Sequence, residues 1–263
     1  MTSSHPARTG PQPRAALVLC LLILLPGAAR AADLSIAAAA DLTYAFAEVG
    51  AQFERASGNR VTVSYGSSGN FFEQIKNGAA YDLFFSADID YPEKLAAAGL
   101  IEPGSIYRYA AGRIVLWVPN DSKLDLSEGL KVLLDPAIHK ISIANPLHAP
   151  YGRAAVAALE HDGLLAQVKP KLVMGENIAQ AAQFVQSGNV EIGIIALSLA
   201  LGPPMKDKGR YVEIPAADYP AIIQAAVILK AAHDKERARA FLKFLQQPAT
   251  VAVMRRYGFA LPH

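Results

Sequence analysis

The sequence predicts an α/β chain built as two open sheets, each flanked by helices, with a ligand cleft between them. Three observations carry that expectation. Short apolar runs alternate with helix-period stretches from Leu34 onward. The alternation is played twice, once on either side of about residue 113. Four of the strand-to-helix turns are made of small and polar residues. A βα alternation of this kind gives a mostly parallel sheet covered by helices, and two such sheets in one short chain give two lobes.

The elements follow in order. Leu34 to Ala38 is a short apolar run, and Phe46, Val49 and Phe53 then recur at i, i+3 and i+7, one face of a helix. Residues 61–65 alternate as a strand does, and a helix pattern begins near Phe72 and Ile75 and stops at Gly78. Leu83, Phe84 and Phe85 form a buried-strand run. Pro92 opens a short helix that Gly99 closes. The theme then repeats: a strand at 114–118, another at 141–143, and a turn with Pro146 and Pro150 before a helix from about Gly152. A strand at 172–174 precedes a helix from about Ile178 to Ser187, and Ile192 to Leu197 is an apolar strand. Ile222 to Leu229 is the last strand, and two helices divided by Pro248 close the chain. The first carries the stripe Ala238, Phe241, Leu242 and Leu245, and Gly258 ends the second. The apolar strands at 113–118 and 222–229 bracket the middle segment. Lobe I is therefore expected at 32–112 plus 224–263, and lobe II at 113–223.

Residues 1–31 read as a cleavable secretory leader. Arg8 and Arg14 precede an apolar run from Ala15 to Leu25, small residues follow, and Ala29-Arg30-Ala31 is an A-x-A site. The run is well short of the roughly 18 residues that argue for a membrane span. Cys20, the single cysteine, lies inside it behind Leu19, an unsuitable context for lipidation, so the processed chain has no thiol chemistry. The leader holds three of the 25 basic residues and none of the 23 acidic ones, leaving 22 against 23. A body so close to neutral argues against nucleic acid as a partner.

The four turns are Ala39-Ala40-Asp41-Leu42, Gly66-Ser67-Ser68-Gly69-Asn70, Pro146 through Gly152, and Gly175-Glu176-Asn177-Ile178. The first N–H groups of a helix have no partner within it and lie at its positive end. Several such ends aimed at one point make an anion site without a lysine or arginine. One turn alone is weak, because most merely cap a helix.

The residues between and around these turns resemble the periplasmic molybdate-binding family of ABC importers. The blocks are Tyr65-Gly66-Ser67-Ser68-Gly69, Gln74 through Ala79, Asp82-Leu83-Phe84-Phe85-Ser86-Ala87-Asp88, Asn145-Pro146, Ala149-Pro150-Tyr151-Gly152 and Arg256-Tyr257-Gly258-Phe259. The likeness runs from about Asp33 to Pro262. It implies the hinged two-lobed fold of type II periplasmic binding proteins and a monomer that hands molybdate or tungstate to membrane permease subunits. It implies no catalysis and no cofactor, the oxyanion being held by hydrogen bonds alone rather than as a metal cation. The contacts it implies fall on Ala40, Asp41, Ser68 with its neighbour Ser67, Tyr151, and the N–H of Ile178. A tyrosine that one branch places on the apolar strand is replaced here by Ala196, and the Tyr151 hydroxyl is the alternative donor.

Asp41 stands where the family has Ser or Asn. A carboxylate only accepts hydrogen bonds, as does a deprotonated oxyanion. The expectation is that Asp41 caps its own helix and turns its N–H to the ligand; a carboxylate sharing a proton with the oxyanion is the other reading. Other chemistry finds little support. No G-x-S-x-G, P-loop or G-x-G-x-x-G is present. His139, His148 and His161 lack metal spacing, and Tyr107 and Tyr109, imaginable as ferric-ion ligands, fit strand alternation. Another tetrahedral oxyanion remains an alternative ligand. A secreted enzyme on the same scaffold is the alternative from a different class, needing a base beside Ser68, for which His148 stays open.

Overall fold

The computed structural model describes residues 1–3 and 33–260, so the leader reading and Cys20 fall outside it but for the first three residues. Among the described residues no helix is long and apolar enough to cross a membrane.

The first sheet is fed by β1 (Leu34–Ala39), β2 (Val61–Gly66), β3 (Leu83–Ser86) and β4 (Tyr107–Gly112). Between them lie α1 (Thr43–Ser57), α2 (Ser68–Lys76) and α3 (Asp90–Ala97), and a single 3-10 turn, Ala40–Leu42, joins β1 to α1. α1 buries the predicted stripe of Phe46, Val49 and Phe53 and ends at Gly58, whose φ of +70° is the left-handed conformation a helix C-terminus favours. The second sheet is fed by β5 (Ile114–Pro119), β6 (Ile141–Ala144), β7 (Leu172–Gly175), β8 (Ile192–Ala196) and β9 (Gly209–Glu213). Its helices are α4 (Pro150–His161), α5 (Leu165–Val168), α6 (Ile178–Gln186) and α7 (Leu197–Ala200). The chain then returns as β10 (Ile222–Ile228), α8 (Lys235–Leu245) and α9 (Pro248–Arg256).

The strand orders are β2-β1-β3-β10-β4 and β7-β6-β8-β5-β9. In each sheet one strand runs against the other four: β10 is antiparallel to both β3 and β4, and β5 to both β8 and β9. The chain thus passes from one sheet to the other at Arg113, between β4 and β5, and passes back between β9 and β10. The Arg113 guanidinium donates to the Gly258 carbonyl at 3.1 and 3.3 Å, tying the first crossing to the end of α9.

Two sheets need two cores. Phe46, Phe85 and Phe241 meet edge to face under the first sheet, with Phe46 and Phe85 ring centres 4.8 Å apart. Trp117, Ile194 and Leu159 lie in the core of the second. Two sequence expectations shift locally. α2 begins at Ser68, not near Phe72, and buries Phe71 and Ile75 while Phe72 stays half-buried. β9 is an addition to the strands the sequence predicts: its residues are half-buried or exposed on an edge, so they carry little apolar signal.

Candidate anion site between the two sheets

All six residues singled out as ligand contacts line one small cavity. Ala40 and Asp41 come from the 3-10 turn, Ser67 and Ser68 from the start of α2, Tyr151 from the start of α4 and Ile178 from the start of α6. Ala39, Gly66, Ala87, Ala149 and Pro150 complete the wall. Four helical starts therefore converge on one point, drawn from both sheets, and among the described residues no lysine, arginine or histidine lines it. Their orphan N–H groups and positive dipole ends make this a place for negative charge.

Local chemistry sets each donor. Ser67 is the N-cap of α2, its Oγ accepting the Asn70 N–H at 3.3 Å. Ser68 follows as the first helical residue, and its Oγ accepts the Ala87 N–H at 2.9 Å. With that lone pair taken, the Ser68 hydroxyl hydrogen is free to point elsewhere. Asn177 caps α6 by accepting from Ala179 and Gln180 at 3.0 Å each, and the Ile178 N–H is left out of the cap. In the third turn Pro150 occupies the first helical position, where a missing N–H costs nothing, and Tyr151 comes next.

Asp41 departs from expectation. It caps no helix: Ala39 is the residue before the 3-10 turn, and neither that turn nor α1 has a side-chain cap. Asp41 sits inside the turn, 1% exposed, where nearer donors compete for its carboxylate. Oδ2 accepts the Tyr151 hydroxyl at 2.9 Å and the Gln224 amide at 2.7 Å. Gln224 also donates to the Tyr151 oxygen at 2.9 Å and accepts the Tyr109 hydroxyl at 2.7 Å. Oδ1 is buried and has no hydrogen-bond partner. Burial pushes the Asp41 carboxyl up to about 7 despite the hydrogen bonds from Gln224 and Tyr151, which pull the other way. Burial, and then the Asp41 charge, hold the Tyr151 and Tyr109 hydroxyls well above the usual tyrosine range. Both stay protonated, and the Tyr151 hydrogen, the alternative ligand donor, is committed to Asp41.

The rim joins the two sheets' helices. The Gly69 N–H donates to the His148 carbonyl at 2.9 Å, and Ser67 Oγ lies 2.8 Å from His148 Nδ1. The Asn70 amide donates to Glu176 at 2.7 Å, and the Arg153 guanidinium pairs with Asp88 and stands over the Tyr91 ring. His148 thus addresses Ser67, not Ser68, for which the sequence had left it open. Away from the cavity, His161 gathers with Asp162 and Asp218. Both carboxylates face the same ring nitrogen, at 3.0 and 3.7 Å.

Residues 34–260 match the family model of bacterial extracellular solute-binding proteins. The chain belongs to that family. This solute-binding protein is 41% identical over 238 residues to the molybdate-binding protein ModA of Azotobacter vinelandii, covering 90% of its own length and 94% of the relative's. It is 36% identical over 244 residues to ModA of Rhodobacter capsulatus, with 93% and 94% covered. The solved structure of the Azotobacter vinelandii periplasmic molybdate-binding protein superposes with a TM-score of 0.83 at 35% identity, covering 88% of this chain and all of that one. A sulfate-binding protein of Mycobacterium tuberculosis, 16% identical, shares the fold with a TM-score of 0.70. The residues that sequence reasoning missed behind the cavity of this solute-binding protein are Gln224, bonded to Asp41, and Tyr109, bonded to Gln224. Each reads as an ordinary strand position, and only the sheet order brings them to Asp41.

Proposed function

We propose that this chain captures molybdate, with tungstate as its close competitor, outside the cytoplasm and delivers it to the permease subunits of an ABC importer. The observation that carries the reading is the convergence of four helical starts on one small cavity without a cation, in a chain so similar to molybdate-binding relatives. Hydrogen bonds alone then hold the oxyanion. The N–H groups of Ala40, Asp41, Ser68, Tyr151 and Ile178 and the Ser68 hydroxyl are the donors, and Ser67 positions the α2 end. Selectivity is one of size: molybdate and tungstate fill a ring of fixed donors that leaves sulfate loosely held. The lobes divide at 32–112 with 224–263 against 113–223, and the molecule works as a monomer in the periplasm once its leader is removed. Capture requires no catalysis and no cofactor.

The test is calorimetric titration of the purified processed protein with molybdate, tungstate, sulfate, phosphate and ferric ion. Molybdate and tungstate should each bind at least about a hundredfold more tightly than sulfate, a gap of about 2.7 kcal/mol. Sulfate, phosphate or ferric ion binding as tightly as molybdate would overturn the reading, and turnover of a simple ester would favour the enzyme alternative.

A further inference from the structure

We propose that Asp41 binds the oxyanion as a neutral acid, donating a hydrogen bond from Oδ1, so that a site whose carboxyl is ionised takes up one proton with the molybdate it captures. The inference rests on the function proposed above and concerns a residue that looks, on charge alone, ill-suited to it.

The geometry divides the carboxyl group's two oxygens. Oδ2 is fully occupied, accepting from Tyr151 of α4 and Gln224 of β10. Oδ1 is buried without a partner in a residue that lines the cavity. A buried carboxylate oxygen with nothing to accept is costly, and a dianion beside it offers only more lone pairs and like charge. A single proton on Oδ1 resolves both problems: the oxygen becomes a donor, and the negative charge leaves the carboxyl group. The rest of the network does not change, since Oδ2 keeps both its donors and Gln224 keeps its bond from Tyr109.

The surroundings favour the neutral form. The groups acting on the Asp41 carboxyl are Gln224, Tyr151 and its own backbone N–H, none of them a cation. Tyr109 on β4 and Tyr151 on α4 are the titratable neighbours, and both hold their protons. From α7 the Ser198 hydroxyl reaches only the Asp41 carbonyl, at 2.7 Å. On the α3 and α4 side, Asp88 and Arg153 neutralise each other. Among the described residues no unpaired cation there offsets an ionised carboxylate facing a dianion. With the free site half-protonated near pH 7, the proton is within reach of ordinary solution conditions.

The experiment is molybdate titration by calorimetry at pH 6, 8 and 9, repeated in buffers of different ionisation enthalpy to count protons. The wild-type protein should take up about 0.1 proton per molybdate at pH 6 and about 0.9 at pH 8. Its affinity should fall about tenfold between those values and about a hundredfold by pH 9. Asp41→Asn places an amide donor where Oδ1 stood; it should take up no proton, lose the pH dependence and bind more tightly than wild type at pH 9. The wild-type proton count needs no variant, so it decides the matter even if Asp41→Asn fails to fold. Tight molybdate binding by the wild type with no proton uptake and a flat pH profile would overturn the proposal and leave the molybdate reading intact. An Asp41→Asn protein that still takes up the proton would overturn it as well. Absence of molybdate binding at pH 6, or tighter binding of phosphate, would instead sink the functional reading and this proposal with it.

Discussion

Asp41 should leave a signature on the stability of the ligand-free protein. Its carboxyl is raised from 3.8 to about 7 by burial, so the folded state holds the proton more tightly than the unfolded chain does. At low pH both states are protonated and the residue costs nothing. As pH rises above 3.8 the unfolded chain ionises first and folding is progressively disfavoured. Above about 7 both are ionised and the penalty is complete. The shift of about three units corresponds to a penalty of about 4 kcal/mol at pH 8 and under about 2 kcal/mol at pH 5. Asp41→Asn keeps an acceptor for Tyr151 and Gln224 and removes the ionisation. Urea unfolding of anion-free wild type and variant at both pH values isolates the effect, because every other titrating group cancels in the difference. The variant should gain on wild type by about 2 to 3 kcal/mol between pH 5 and pH 8. A difference that does not change with pH would refute the account of Asp41 as a buried acid.

Two further outcomes follow from the donors and the rim. Ser68→Ala removes a hydroxyl donor to a charged ligand, worth about 1.5–3 kcal/mol, so molybdate should bind roughly ten- to a hundredfold more weakly by calorimetry. The Ala87 N–H also loses its acceptor, so the variant should unfold at lower urea concentration. At Gly69 an added Cβ would lie 2.6 Å from the Tyr91 hydroxyl and 2.7 Å from the His148 carbonyl, across the rim. Gly69→Ala should therefore wedge the cleft and raise the molybdate dissociation rate in stopped-flow measurements, by about five- to a hundredfold for a clash of about 1–3 kcal/mol. An unchanged rate would mean that the two sides do not close on each other here.

Much of this molecule is legible from local pattern. Three of the four turns announce themselves through Gly66 and Ser67, Pro150, and Asn177, residues whose backbone preferences and capping chemistry act within a few positions. The apolar runs at Leu83–Ser86 and Ile192–Ala196 read as buried strands because both their faces are covered. What local pattern withholds is pairing. Asp41 invites a capping assignment because Asp is a good cap, and the choice is decided by Gln224, 183 residues away. The start of α2 is hidden from local pattern because Ser68 and Gly69, polar and small, look like loop until Ala87 and His148 supply partners from elsewhere. β9 gives no apolar alternation because an edge strand needs little of it.

The place of β10 has a consequence for how the chain is made. It lies between β3 and β4, yet it is the last strand synthesised. A nascent chain that has emerged as far as residue 221 holds four strands of the first sheet with the fourth place in the row empty, so β3 and β4 each present an unpaired edge. The second sheet, by contrast, has all five of its strands by Glu213. The second sheet can thus be completed before the first, in which β1, β2 and β3 pair among themselves while the link from β3 to β4 waits for β10. Contacts of such long sequence separation close slowly, which leaves the facing edges of β3 and β4 unpaired for longest.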